Sequence, residues 1–150
     1  MSSRYMYWSE DGRIGGADMD GENQKVVAVL TYYYGLFDAR GLAMDIQMNR
    51  IYFVSYWFEG LLYVDLNAGG KGNGPVQVLF RHYSFDDDYF LSPRGLALDD
   101  QYVYWNEYWN EKVYRINKTG FDGDLAVVAS GMFSPRGMAV VKGKPNASGE

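Results

Sequence analysis

The sequence predicts an all-β fold built from repeated four-stranded units. Two observations carry this reading. First, one phrase recurs: Arg40-Gly41-Leu42-Ala43-Met44-Asp45, Arg94-Gly95-Leu96-Ala97-Leu98-Asp99 and Arg136-Gly137-Met138-Ala139-Val140-Val141. The copies start 54 and 42 residues apart, a spacing that suits propeller blades of four strands each. Second, the segments between the copies are short and rich in Val, Ile, Tyr and Trp, with Gly, Asn and Asp at their ends, the pattern of strands joined by turns. No stretch sustains a 3.6-residue apolar period, so no helix is predicted.

Each unit then reads in order. The recurring phrase is its inner strand. A second strand follows at Tyr7-Trp8-Ser9-Glu10, Tyr52-Phe53-Val54-Ser55 and Tyr104-Trp105-Asn106-Glu107. A third strand contains Ile14-Gly15-Gly16-Ala17-Asp18, Leu62-Tyr63-Val64-Asp65 and Val113-Tyr114-Arg115-Ile116. An apolar outer strand closes each unit at 25–30, 76–80 and 125–129. Within 1–142 this gives blades at about 4–39, 40–93 and 94–141, followed by a polar, frayed tail at 143–150.

These phrases resemble the YWTD repeats, the class B repeats of low-density lipoprotein receptors. Ser92-Pro93-Arg94-Gly95-Leu96-Ala97-Leu98-Asp99 and Val103-Tyr104-Trp105-Asn106-Glu107 carry the likeness best, with Ala17-Asp18-Met19-Asp20-Gly21 and Phe121-Asp122-Gly123 as the turn after the third strand. No copy keeps the Thr-Asp of the signature, and Phe53 stands where the second copy would have Trp. The resemblance implies a six-bladed YWTD-type β-propeller. By strand count this chain holds three blades: the first lacks an inner strand, and the last inner strand, 137–141, has no blade of its own. Two chains would close a six-bladed ring, each lending its last strand to its partner's first blade and covering an otherwise bare edge. A homodimer by strand exchange is therefore expected, with half of a longer chain as the alternative.

Composition excludes several classes. Cys is absent, which removes a disulfide scaffold, a thiolate zinc site and a Cys nucleophile. The formal net charge of −5 argues against nucleic acid and anionic membranes as partners. No apolar run approaches a membrane span. The three carboxylates Asp86-Asp87-Asp88 are consecutive and do not converge easily on one ion, and Asp18-Met19-Asp20-Gly21 lacks the last ligand of a calcium loop. No metal and no cofactor are expected. His82 reads as a surface loop residue. No nucleophile–base arrangement, P-loop or zinc-protease motif appears. The inner strands offer Leu, Ala, Met and Arg where a propeller lactonase needs Glu, Asn and Asp, so the chain is not expected to be an enzyme.

The surplus to be explained is aromatic: 14 Tyr, 8 Phe and 4 Trp. In a propeller, the loops joining strands 4 to 1 and 2 to 3 emerge on one face. Here those loops hold Tyr33 and Tyr34, then Trp57, Phe58 and Glu59, then Tyr83 with Asp86, Asp87 and Asp88, and then Trp109 and Asn110 beside Glu107. The opposite loops are mainly Gly and polar. Arg40, Arg94 and Arg136, at the starts of the inner strands, lie by the resemblance at the channel mouth on the aromatic face. Exposed Trp and Tyr mixed with charge read as a binding surface, so these residues form the expected site.

The resemblance implies a non-catalytic extracellular module that binds a protein or peptide ligand on this face. The alternative is a carbohydrate-binding lectin, with aromatic rings stacking on sugars and a dimer supplying avidity. No apolar signal segment follows Met1. The chain is therefore either cytosolic or a form without its signal. The sequons Asn117-Lys118-Thr119 and Asn146-Ala147-Ser148 favour secretion.

Overall fold

The computed structural model describes residues 5–30, 38–56, 58–81 and 92–141. Three antiparallel meanders account for the strands. The first is β1 (Tyr5–Glu10), β2 (Arg13–Asp18) and β3 (Lys25–Val29). The second is β4 (Ala39–Asp45), β5 (Arg50–Ser55), β6 (Gly60–Asp65) and β7 (Gln77–Arg81). The third is β8 (Pro93–Leu98), β9 (Tyr102–Glu107), β10 (Lys112–Asn117) and β11 (Ala126–Ser130). Among the described residues the helical structure is one short 3-10 turn at Asp122–Asp124, and no helix is long and apolar enough to cross a membrane.

Strand alternation builds the space between sheets. Ile51 and Phe53 of β5 join Ile14, Val27, Leu62 and Val64 in a core between the first and second sheets. Tyr52 and Val54, on the opposite face of β5, join Leu61, Phe80, Val103, Trp105 and Tyr114 in a core between the second and third. Every second residue thus serves one neighbour, and the sheets stack like blades. Trp105 is fully buried, stacked on Tyr114 with ring centroids 5.5 Å apart.

Equivalent positions at the two ends of the stack differ in burial. Phe53 and Trp105 point back toward the preceding sheet and are fully buried. Trp8, their counterpart in β1, has no preceding sheet among the described residues and is half-buried. Tyr52 points forward and is fully buried, whereas its counterpart Tyr104 in the last sheet is half-buried.

The recurring Arg-Gly has a steric cause. A Cβ on Gly41 would stand 2.8 Å from Leu96 N and 2.9 Å from Arg94 O. One on Gly95 would stand 2.8 Å from Arg136 O and 3.0 Å from Met138 N. Inner strands of successive units approach so closely that only glycine fits. Residues 136–138 therefore stand to Gly95 as residues 94–96 stand to Gly41. The expected strand at 137–141 is nevertheless not formed. Its ladder partner would be the second strand of a further blade, which the described chain does not supply, and a strand exists only through its ladder. Asn106 Nδ2 donates to Gly137 O at 3.4 Å instead.

The Asp that ends the phrase closes the following turn. Asp45 Oδ1 accepts Met48 N at 3.0 Å. Asp99 Oδ1 accepts Gln101 N at 2.8 Å and Tyr102 N at 2.7 Å, while Oδ2 accepts the Tyr104 hydroxyl at 2.7 Å. Asp45 also pairs with Lys118, at the end of β10, which ties the second sheet to the third. Burial alone would raise the Asp45 carboxyl, but the Lys118 hydrogen bond, the Met48 N–H and the Lys118 charge together hold it below its ordinary 3.8.

Both partners of that pair are almost buried, so Lys118→Ala leaves an uncompensated charge and should cost about 3 kcal/mol in denaturant unfolding. A depressed carboxyl contributes stability that is complete above its unfolded value of 3.8 and disappears as pH falls through the lower folded value. Calorimetry from about pH 5 to about pH 3 should therefore show a steeper fall in Tm for the parent than for Lys118→Ala.

Candidate ligand-binding face

The described part of the aromatic face lies where β5 turns into β6, where β9 turns into β10, and where the chain enters β4, β8 and 136–141. Arg40, at the start of β4, donates from Nε to Asp38 Oδ2 at 2.7 Å, and its guanidinium lies 5.0 Å from the centre of the Tyr56 ring. The third sheet repeats the Arg–Tyr contact: Arg94 lies 5.3 Å from the centre of Tyr108. Arg136 approaches the same ring at 5.6 Å. One phenol thus stands beside two exposed guanidinium groups, each contact contributing about 0.5–1 kcal/mol at an exposed site.

Trp109 meets Tyr108 edge-on, with centroids 5.0 Å apart at 88°, and is 69% exposed. Phe133, on the segment leading to Arg136, is 91% exposed. The segment is anchored by Met132 N donating to Glu111 O at 3.4 Å. Asn110 Nδ2 donates to the Tyr114 hydroxyl at 3.0 Å, which fixes the turn that carries Trp109. Tyr108 is drawn below its ordinary 10.0 by hydrogen bonds from Ser134 and Arg136 and by the charges of Arg136 and Arg94.

The other expected site residues divide by position. Glu59 is exposed in its turn, with a φ of 53°. Phe58 is buried in the first core, with the Arg81 guanidinium 4.1 Å from its ring centre. Glu107 is fully buried, and its Oε2 accepts Ser92 N at 2.7 Å, so it fixes the entry to β8. Tyr33, Tyr34, Trp57, Tyr83, Asp86, Asp87 and Asp88 lie outside the described residues. Tyr56, Tyr108 and Phe133 join the face without having been singled out by the sequence. The signal for the two tyrosines was present, because each follows the second strand of a unit whose inner strand begins with Arg.

At the opposite end of the inner strands a cavity of about 270 Å³ is lined by Met44, Asp45, Leu98, Asp99, Lys118 and Val140. Its carboxylates already serve the turns and Lys118. Among the described residues no group of three metal-ligating side chains comes together.

The architecture matches a β-propeller-like fold in solved structures. A chain in the crystal structure of a nidogen/laminin complex superposes with a TM-score of 0.65 at 16% identity, over 90% of this chain and 47% of that one. An auxiliary nutrient binding protein from Bacteroides thetaiotaomicron gives 0.68 at 11% identity, over 91% and 40%. A luciferin-regenerating enzyme gives 0.56 at 14% identity, over 97% and 52%. The chain spans about half the length of these structures or less. No family model matches the sequence. The expectation that the chain is not an enzyme is corrected by the third likeness: an enzyme shares this fold, so the architecture does not separate catalysts from binding proteins.

Cations and hydrogen-bond donors stabilise a phenolate. Alkaline titration at the tyrosinate absorbance should therefore show a tyrosine ionising below 10.0. Tyr108→Phe should remove that early step, and Arg136→Gln should move it to higher pH.

Proposed function

We propose that the chain binds a protein or peptide ligand through the face built by Arg94, Tyr108, Trp109 and Arg136, continued by Arg40, Glu59 and Asn110. The observation that carries this reading is Trp109, exposed and held edge-on by Tyr108 beside two guanidinium groups. Trp, Tyr and Arg are the residues that dominate binding energy at interfaces. The fold-likeness to a chain of a nidogen/laminin complex supports a protein partner. Tyr33, Tyr34, Trp57, Tyr83 and Asp86 to Asp88 belong to the same face in this reading by their loop positions. An extracellular setting goes with it, supported by the two sequons.

The same reading includes a YWTD-type propeller closed by a second copy of the chain. Its support is the mismatch in burial at the two ends of the stack. Trp8 and Tyr104 occupy positions that are fully buried inside the stack, and they point outward from opposite ends. A second copy placed head to tail would join one end to the other twice, closing the ring. Residues 137–141 of each copy would then pair with β1 of its partner.

A second reading, carbohydrate binding, is favoured by the open ring of Trp109, on which a sugar could stack. Peptide and glycan arrays probed with parent and Trp109→Ala separate the two. Peptide binding lost in Trp109→Ala supports the first reading, and binding confined to glycans replaces it with the second. Light scattering tests closure: the parent should weigh close to twice 17.1 kDa, and Trp8→Asp should return it to a single chain. A parent that runs as a monomer would end the closed-ring reading.

A further inference from the structure

The three copies of the inner-strand phrase differ at one position that decides what their arginines can bind. Two residues before the Arg stand Asp38, Ser92 and Ser134. In the first copy the Asp38 carboxylate lies on Arg40 at 2.7 Å, with the Tyr56 ring beside the guanidinium. The second and third copies keep the Arg and share a Tyr but carry the shorter, neutral Ser. Among the described residues no carboxylate pairs with Arg94 or Arg136, and both side chains are exposed. Ser92 is turned to other use, its N–H donating to buried Glu107. Ser134 hydrogen-bonds Tyr108.

Building on the reading of this face as a ligand-binding surface, we propose that Arg94 and Arg136, which both stand beside the Tyr108 ring, clamp a carboxylate of an acidic peptide as Arg40 holds Asp38 within the chain. A planar guanidinium forms charge-assisted hydrogen bonds to a carboxylate, and two of them converging on one phenol define where it sits. The exposed ring of Trp109 lies edge-on to Tyr108 beside that position, so the preferred peptide places an apolar side chain next to the acidic one. The net charge of −5 gives no long-range attraction for an acidic partner, so selectivity rests on this local pair of cations.

The test uses the acetylated, amidated tetrapeptide Glu-Phe-Glu-Phe, its Gln-Phe-Gln-Phe counterpart and tetragalacturonate. Binding is followed by tryptophan fluorescence, with Trp109→Phe to assign the signal, and by calorimetry. The parent should bind the Glu peptide at least about ten-fold more tightly than the Gln peptide, the loss expected for one charge-assisted contact. Arg94→Gln and Arg136→Gln should each abolish most of that preference, whereas Lys71→Gln, at an exposed cation in the opposite set of loops, should keep it. Ser134→Asp should weaken the Glu peptide about ten-fold by supplying the acid from within. Equal binding of the two peptides would overturn the clamp while leaving the peptide-binding reading intact. An Arg94→Gln/Arg136→Gln double variant that retains the preference would overturn it too. Binding of tetragalacturonate with neither peptide bound would overturn the peptide assignment in favour of an acidic sugar.

Discussion

The backbones of successive inner strands approach closely, and the rest of the architecture depends on this contact. At Gly41 and Gly95 a single methyl group would collide with backbone atoms of the next unit under 3 Å away. Backbone cannot yield as a flexible side chain can, so these contacts set the spacing of the sheets. With the spacing fixed, the faces of β5 fill two separate cores, and Phe53, Tyr52 and Trp105 become fully buried. The arginines preceding the glycines are carried to matching places at one rim. The aspartates ending the same strands reach the turns at the other.

The two rims consequently have different chemistry. At the turn rim, Asp45 and Asp99 are consumed by backbone N–H groups, a tyrosine hydroxyl and Lys118. The Asp45–Lys118 pair ties the second sheet to the third, and the other bonds close turns within a sheet. At the arginine rim, one tyrosine, Tyr108, stands beside both Arg94 and Arg136, and among the described residues no carboxylate pairs with either. A ring orients a guanidinium without neutralising it, so the charge remains available to a partner. Tyr108 and Trp109 also give that rim rigid apolar area at low entropic cost.

Much of the fold was legible because its signals are local. Short β-branched and aromatic runs, the turn residues and the repeated phrase place all the strands of the three sheets. Residues 137–141 carry the inner-strand phrase but form no strand among the described residues, because a strand needs a ladder partner and the described residues supply none there. The site was legible in kind and less so in detail. Phe58 and Glu107 carry the right chemistry but turn inward, one against Arg81 and the other onto Ser92 N. Trp105 and Trp109 differ by four positions in one strand and turn, yet one is fully buried and the other 69% exposed.

The sequence by itself determined the repeat, the all-β character and the places of the turns, because turn chemistry and strand period act over a few residues. Only the tertiary structure decided which aromatic rings are buried and which arginines already hold a carboxylate. Burial and ion pairing depend on neighbours from other sheets. The difference between Asp38 and Ser134 acquires meaning only once Arg40, Arg94 and Arg136 are seen in equivalent places on one rim.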